Sequence, residues 1–277
     1  MKKVVFAAFF CVLGFVSPSD AQHLEFGLMA GISGYDGELA PDAFGDRFSI
    51  IHPSVGVFGR YNFNDFFAAR LGLQYGTISG DDGLSNNSRN LDFRSSILEV
   101  GLIGEWNILG YQPYNLYRVF SPYLFAGVAF SSFNPVTEYN GEDVELQPLG
   151  TEGQGLDGRP GLYNLTTLAI PVGIGAKVAL NDLWNIGVEA GLRLTRTDYL
   201  DDVSTTYAGY DELLNARGEL SAILANRSEM ARIAGDPRGN PDNNDVYYFV
   251  GVFLSYNFMD TGLAGARGRT KRGRGCY

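Results

Sequence analysis

Glu189 and Arg193 stand four residues apart in the stretch WNIGVEAGLRLT, Trp184 to Thr195. In an extended chain that spacing puts both side chains on one face, with Gly187, Gly191 and Thr195. The opposite face carries only Trp184, Ile186, Val188, Ala190, Leu192 and Leu194. An acid and a base held this way can act as catalytic groups, as an ion pair, or as the lining of a polar interior. Comparable charges, set against an apolar face, recur at Glu25, Arg60, Arg70, Glu99, Glu105 and Lys177. The whole set is four acids and four bases. Buried charges are costly unless paired, so a matched set in a narrow interior is expected to pair off as a plug. A proton or ion path is the alternative reading.

Other groups able to do chemistry are scarce. The two histidines are His23 and His52, and neither lies in a recognisable nucleophile motif. His52 has serines nearby at Ser49 and Ser54, and acids in the adjoining segments, so a His–Ser–carboxylate triad stays open by inventory alone. No catalytic residue is assigned on that basis. Two loop stretches are conspicuous: LQPLGTEGQG, Leu146 to Gly155, with Gln147, Glu152 and Gln154, and TDYLDDVS, Thr197 to Ser204. Asp198, Asp201 and Asp202, with Asp242, Asn243, Asn244 and Asp245, offer the oxygen ligands calcium takes. Their spacing is not that of a calcium loop, and Asp and Asn are also the usual turn formers. Turn capping is the preferred reading, and no metal or cofactor is expected.

The elements that must carry these residues follow a period of two. Eight segments alternate, at approximately 23–35, 53–63, 66–79, 92–108, 121–133, 165–180, 184–199 and 245–258. Several match or exceed the roughly 9–11 residues a tilted strand needs to cross a bilayer. Asn64-Asp65 and Asn181-Asp182 read as tight turns. The links 36–52, 80–91, 134–164 and 200–244 are long and polar, while 109–120 is longer than the short turn expected there. Short turns at one end and long loops at the other predict an all-β, eight-stranded antiparallel up-and-down transmembrane β-barrel with long extracellular loops. Glycine recurs on the polar face, as a narrow lumen filled by side chains requires. The last strand ends in Phe258, and Trp106, Trp184, Tyr61, Phe63 and Tyr256 sit near strand ends, where interfacial girdles belong. Within the last loop, Tyr210 to Ile233 reads as one or two short amphipathic helices whose Leu213, Leu214, Leu220, Ile223, Leu224 and Ile233 need a partner surface.

The chain ends fix the compartment expected. Lys2 and Lys3, the apolar run Val4 to Val16, and Ser19-Asp20-Ala21 read as a signal peptide over residues 1–21. Its removal takes away Cys11, two lysines and one aspartate. That leaves Cys276 as a lone cysteine and 19 Lys+Arg against 30 Asp+Glu, a net charge of −11. No internal disulfide is then available, and a nucleic-acid partner is not expected. The barrel is expected over 22–258. Residues 259–277, with Arg267, Arg269, Lys271, Arg272 and Arg274, read as a basic disordered periplasmic tail. The expected location is the outer membrane, with lipid and lipopolysaccharide as surroundings. Some eight-stranded barrels there are lipid A deacylases or acyltransferases, the activity a His52 triad would imply. A narrow transport or binding barrel is a further alternative.

Four stretches carry a likeness: HLEFGLMAGISGYDGEL, GVFGRYNFND, LQPLGTEGQG and RTDYLDDVSTTY. Together they resemble the Bacteroidetes outer-membrane β-barrel family that includes PorG-like type IX secretion and gliding components. The likeness runs from about His23 to Phe258. It implies a non-enzymatic scaffold or accessory component of an envelope complex, associated with the periplasmic ring subunits of the type IX secretion system. It brings no catalytic residue.

Overall fold

Outward positions are apolar and inward ones small, polar or aromatic, so each segment can satisfy two different surroundings only as a strand. The computed structural model describes residues 23–41, 45–84, 88–112, 118–228 and 232–258; the expected signal peptide and basic tail lie outside the described residues. Eight strands form the wall: β1 (His23–Asp36), β2 (His52–Asn62), β3 (Phe67–Asp81), β4 (Asp92–Asn107), β5 (Phe120–Ser132), β8 (Thr166–Ala179), β9 (Trp184–Thr195) and β10 (Val246–Phe258). Each is antiparallel to its neighbours, and β1 pairs with β10 from Leu24 opposite Phe258 to Asp36 opposite Val246, which closes the ring. Closure leaves no unpaired edge, the condition for strands to cross lipid.

Two tight turns use one device. The Asn64 side chain accepts the amides of Phe66 and Phe67 at 2.8 and 2.9 Å. Asn181 accepts those of Leu183 and Trp184, both at 2.9 Å. Each Asx turn reverses the chain in the few residues the register allows. The seventh wall strand stops at Thr195 rather than 199. There the Thr195 hydroxyl lies 2.9 Å from the Thr197 carbonyl and 2.8 Å from the Asp245 carbonyl, able to donate to one of them, where the chain leaves the ladder.

Outward side chains make a continuous apolar belt, with Leu28, Leu71, Val128, Ile174 and Val252 all exposed. At its short-turn rim lie Trp106, 48% exposed, and Trp184, 40% exposed. Tyr61–Phe63 and Trp184–Tyr256 make edge-to-face ring contacts there, at 5.1 and 5.2 Å. A closed barrel with this belt and an aromatic rim is an outer-membrane β-barrel, the short turns marking its periplasmic end.

Beyond the belt the long loops fold into a cap. The 134–164 link, expected as a polar loop, contains a hairpin, β6 (Pro135–Tyr139) and β7 (Glu142–Glu145), which extends β4 through Arg94–Val136. Asn140 and Gly141, both at positive φ, form its turn. The last loop holds two helices, α1 (Tyr210–Arg217) and α2 (Glu219–Ala225). Leu213 and Leu224 are buried in the cap, whereas Leu214, Leu220 and Ile233 stay exposed, so the expected apolar face is only partly covered. Tyr35, Phe93, Phe133, Leu146, Leu200 and Phe249 form part of one apolar cluster that joins cap to barrel.

Candidate functional site

Inward-facing positions fill the barrel from floor to cap. At the periplasmic floor, Gly110 at φ 74° turns the chain so that Tyr111 tucks beneath the lumen. Its hydroxyl donates to Asn185 Oδ1 at 2.7 Å, and Asn185 donates to Asn257 Oδ1 at 2.7 Å. The described part of this link, longer than a turn, thus supplies a lid.

Above the floor lie all eight charges singled out in the sequence: Glu25, Arg60, Arg70, Glu99, Glu105, Lys177, Glu189 and Arg193, every one buried. Arg60 bridges Glu25 at 2.7 Å and Glu105 at 3.0 Å. Glu105 also takes Lys177 Nζ at 3.0 Å and lies 3.5 Å from Arg70 Nε. Arg70 grips Glu189 with two nitrogens, at 2.7 and 2.8 Å, the bidentate geometry of a strong guanidinium–carboxylate contact. Nearest the cap, Arg193 meets Glu99 at 3.2 Å and donates to Gln74 Oε1 at 2.8 Å. Glu189 and Arg193, neighbours on one strand, therefore pair with β3 and β4 rather than with each other.

Neutral donors complete the network. Tyr123 donates to Glu189 at 2.8 Å, Tyr247 to Glu99 at 2.6 Å, and Ser255 and Asn62 to Glu25 at 3.0 and 2.7 Å. Each cation also rests on aromatic faces: Arg60 on Phe58 and Phe253, Arg70 on Phe58 and Phe125, Lys177 on Tyr111 and Tyr123, Arg193 on Phe249. The glycines make room for these rings. Gly27 faces Phe58 across the β1–β2 ladder, Gly175 faces Tyr123, and Gly187 faces Phe253. A Cβ at any of the three would fall 2.2–2.3 Å from the opposite ring. One void among these groups, beside Met29, Phe58 and Arg70, measures about 20 Å³, room for roughly one water.

The two conspicuous loop stretches bind one another in the cap. Glu152 accepts the amides of Ser204 and Thr205 at 2.8 and 3.0 Å, the Thr205 hydroxyl at 2.6 Å, and Arg238 at 3.1 Å. Asp202 accepts Tyr163 at 2.7 Å and lies 3.5 Å from Arg238. Burial pushes Asp202 up to about 6 despite the Arg238 charge.

His52 sits at the outer rim, with Nε2 2.7 Å from Ser79 Oγ. The charge acting on its ring is that of Arg94, a cation, where a triad needs a carboxylate. Sequence reasoning set Gln74 on the polar face with Arg70 but missed Ser79 and the inward Tyr111, Tyr123 and Tyr247. Tyr123 and Tyr247 lie on strands without a charged residue and alternate with the outward apolar positions, Ser79 lies on the outward parity of its strand, and Tyr111 had no periodic signal.

The chain belongs to the DUF6089 family, a domain of unknown function, which it matches over residues 2–217. No curated protein matches it significantly. Among solved structures it is similar to Ail, the attachment invasion locus protein of Yersinia pestis, at 8% identity over 86% of this chain and 99% of Ail, TM-score 0.41. It is also similar to Neisserial surface protein A, at 11% identity over 85% and 97% of the two chains, TM-score 0.41. The outer membrane protein OprG from Pseudomonas aeruginosa is similar at 11% identity over 86% and 97%, TM-score 0.43.

Proposed function

We propose that this DUF6089 barrel is a closed, non-enzymatic scaffold of the outer membrane, an accessory component of an envelope complex. The observation that carries this reading is the filled lumen: six interlocked charges with a further Arg193–Glu99 pair, aromatic rings seated on glycines, and a tyrosine lid leave side chains where a channel would need water. The partners we assign are lipopolysaccharide around the belt and, at the periplasmic end, ring subunits of the type IX secretion and gliding machinery. That assignment is supported by the four stretches resembling PorG-like proteins. Two of them, around Glu152 and Asp202, hold the cap together. Affinity purification from outer membranes of the native host tests it. Co-recovery of periplasmic ring subunits is expected, and recovery of the barrel alone would count against the assignment.

A second reading, a lipid A-modifying hydrolase, draws on the His52–Ser79 contact at the outer rim. The cation beside His52 disfavours it. His52→Ala and Ser79→Ala should leave the lipid A mass profile unchanged; a lost acyl-chain modification in either variant would establish the enzyme reading instead.

A further inference from the structure

Three loops of the cap border an open cleft of about 430 Å³: Glu38 follows β1, Ser88 and Arg89 precede β4, and Arg232, Arg238 and Asn240 precede β10. That size falls within the roughly 300–1,000 Å³ of small-molecule sites. Arg89 frames the space. Its guanidinium grips Asp82 at 2.7 and 3.1 Å and donates to the carbonyls of Glu38 and Arg238 at 3.0 and 2.5 Å, which ties the three loops together. Three guanidinium groups and one carboxylate line the cleft. Asp82 offsets Arg89, and Glu152 and Asp202 offset Arg238. Arg232 has no carboxylate partner among the described residues; its side chain donates to Ser88 Oγ at 2.7 Å.

Buried donors around this space lack acceptors. Among the described residues, Arg232 Nε, Arg238 Nε and the Tyr207 hydroxyl are enclosed and have no hydrogen-bond partner. Tyr207 is 1% exposed and Arg238 3%. An antiparallel bridge, Thr206 to Pro237, sets Tyr207 beside the cleft-lining segment. The Tyr207 amide donates to the Asp236 carbonyl at 2.9 Å, and Gly235 donates to the Tyr207 carbonyl at 3.0 Å. Tyr207 and Arg238 both flank that bridge, so their side chains share one face of it. Burial raises the pKa of the Tyr207 hydroxyl, and the charges of Arg238, Arg89 and Arg232 lower it, which sets all three guanidinium groups near its oxygen. A guanidinium offers only donors, and the hydroxyl proton needs an acceptor too. What this group lacks is an oxyanion.

We propose that the cleft binds a phosphorylated sugar, its phosphate set against Arg232, Arg238 and Tyr207. A phosphate brings several strong acceptor oxygens and a charge that guanidinium forks match. The cleft has room for on the order of a dozen waters, more than a phosphate group fills. Beside the arginines, Glu38, Ser88 and Asn240 present a carboxylate, a hydroxyl and an amide, the groups that hydrogen-bond sugar hydroxyls. Glu38 favours this class over a bare anion, since its carboxylate repels an anion and accepts from a hydroxyl. A sugar phosphate free in the medium and one carried on a surface lipid present the same chemistry. The site lies on the cap, apart from the filled lumen, so its failure would leave the closed-scaffold reading standing.

Calorimetric titration of the full-length barrel, folded in detergent without lipopolysaccharide and held at fixed ionic strength, provides the test. Glucose 6-phosphate should bind saturably with a Kd on the order of 0.1–1 mM, inorganic phosphate about tenfold more weakly, and glucose not at all. Arg232→Ala should weaken glucose 6-phosphate binding about tenfold or more. Arg196→Ala, at an exposed arginine outside the cleft, should leave it unchanged. Tyr207→Phe separates a ligand contact from a structural role. It should weaken binding several-fold without lowering the thermal midpoint of the ligand-free barrel, because the hydroxyl has no partner there to lose. Displacement of glucose 6-phosphate by intact lipopolysaccharide, and not by its dephosphorylated form, would assign a lipid-borne sugar; no displacement would assign a free one. Displacement by both forms alike would contradict recognition of the phosphate. No saturable binding to the wild type, or undiminished binding to Arg232→Ala, would overturn the site. Equal binding of inorganic phosphate and glucose 6-phosphate would overturn the sugar assignment.

Discussion

Glu105 accepts from Arg60 and Lys177, stands beside Arg70, and is wholly enclosed. Replacing it with alanine would strand three cations in a space water barely enters. The expected cost of Glu105→Ala is about 3–5 kcal/mol, the magnitude for breaking a buried pair from one side. Urea unfolding in lipid vesicles measures it. Glu212, paired with Arg159 at the exposed surface, serves as the control, and Glu212→Ala should shift the midpoint little. The eight inward charges were legible because strand parity assigns every residue to one face. Their pairings were not. Arg70 and Glu189 are separated by 119 positions, and only the stagger of strands around the ring brings them together. The aromatic faces beneath the cations were equally hidden, since parity sets Phe58 or Tyr123 inward without saying which cation from another strand will rest on it.

Strand positions and both Asx turns could be read from hydrophobic alternation and Asn-Asp pairs, because in those segments local chemistry and the global fold agree. The β6–β7 hairpin escaped, being short and polar, yet Asn140-Gly141 is a turn signal that period-two reasoning could have used. The lid at Tyr111 left no such mark. In the cap, burial raises Asp198 to about 7 and Asp202 to about 6. A raised carboxyl holds its proton more tightly in the folded state, so its contribution is complete below the ordinary carboxylate range. That contribution is lost as pH rises through the folded value. Amide protection over residues 197–205, corrected for intrinsic exchange, should therefore fall between about pH 5 and 8. Protection that instead rises with pH would reverse the assigned direction.

Over the whole molecule, one barrel presents three surfaces with different chemistry: an apolar belt for lipid, an acidic loop cap, and a periplasmic floor closed by Tyr111 and the Asn185–Asn257 bond. Between cap and floor the lumen is filled with paired charges, the arrangement on which the proposed closed scaffold rests. Conductance of the purified wild-type barrel in a planar bilayer tests this most directly. Insertion without discrete current steps is the expected result; a steady open current, carried by ions through a lumen that Arg60, Glu105, Lys177 and Arg193 are held to fill, would contradict it.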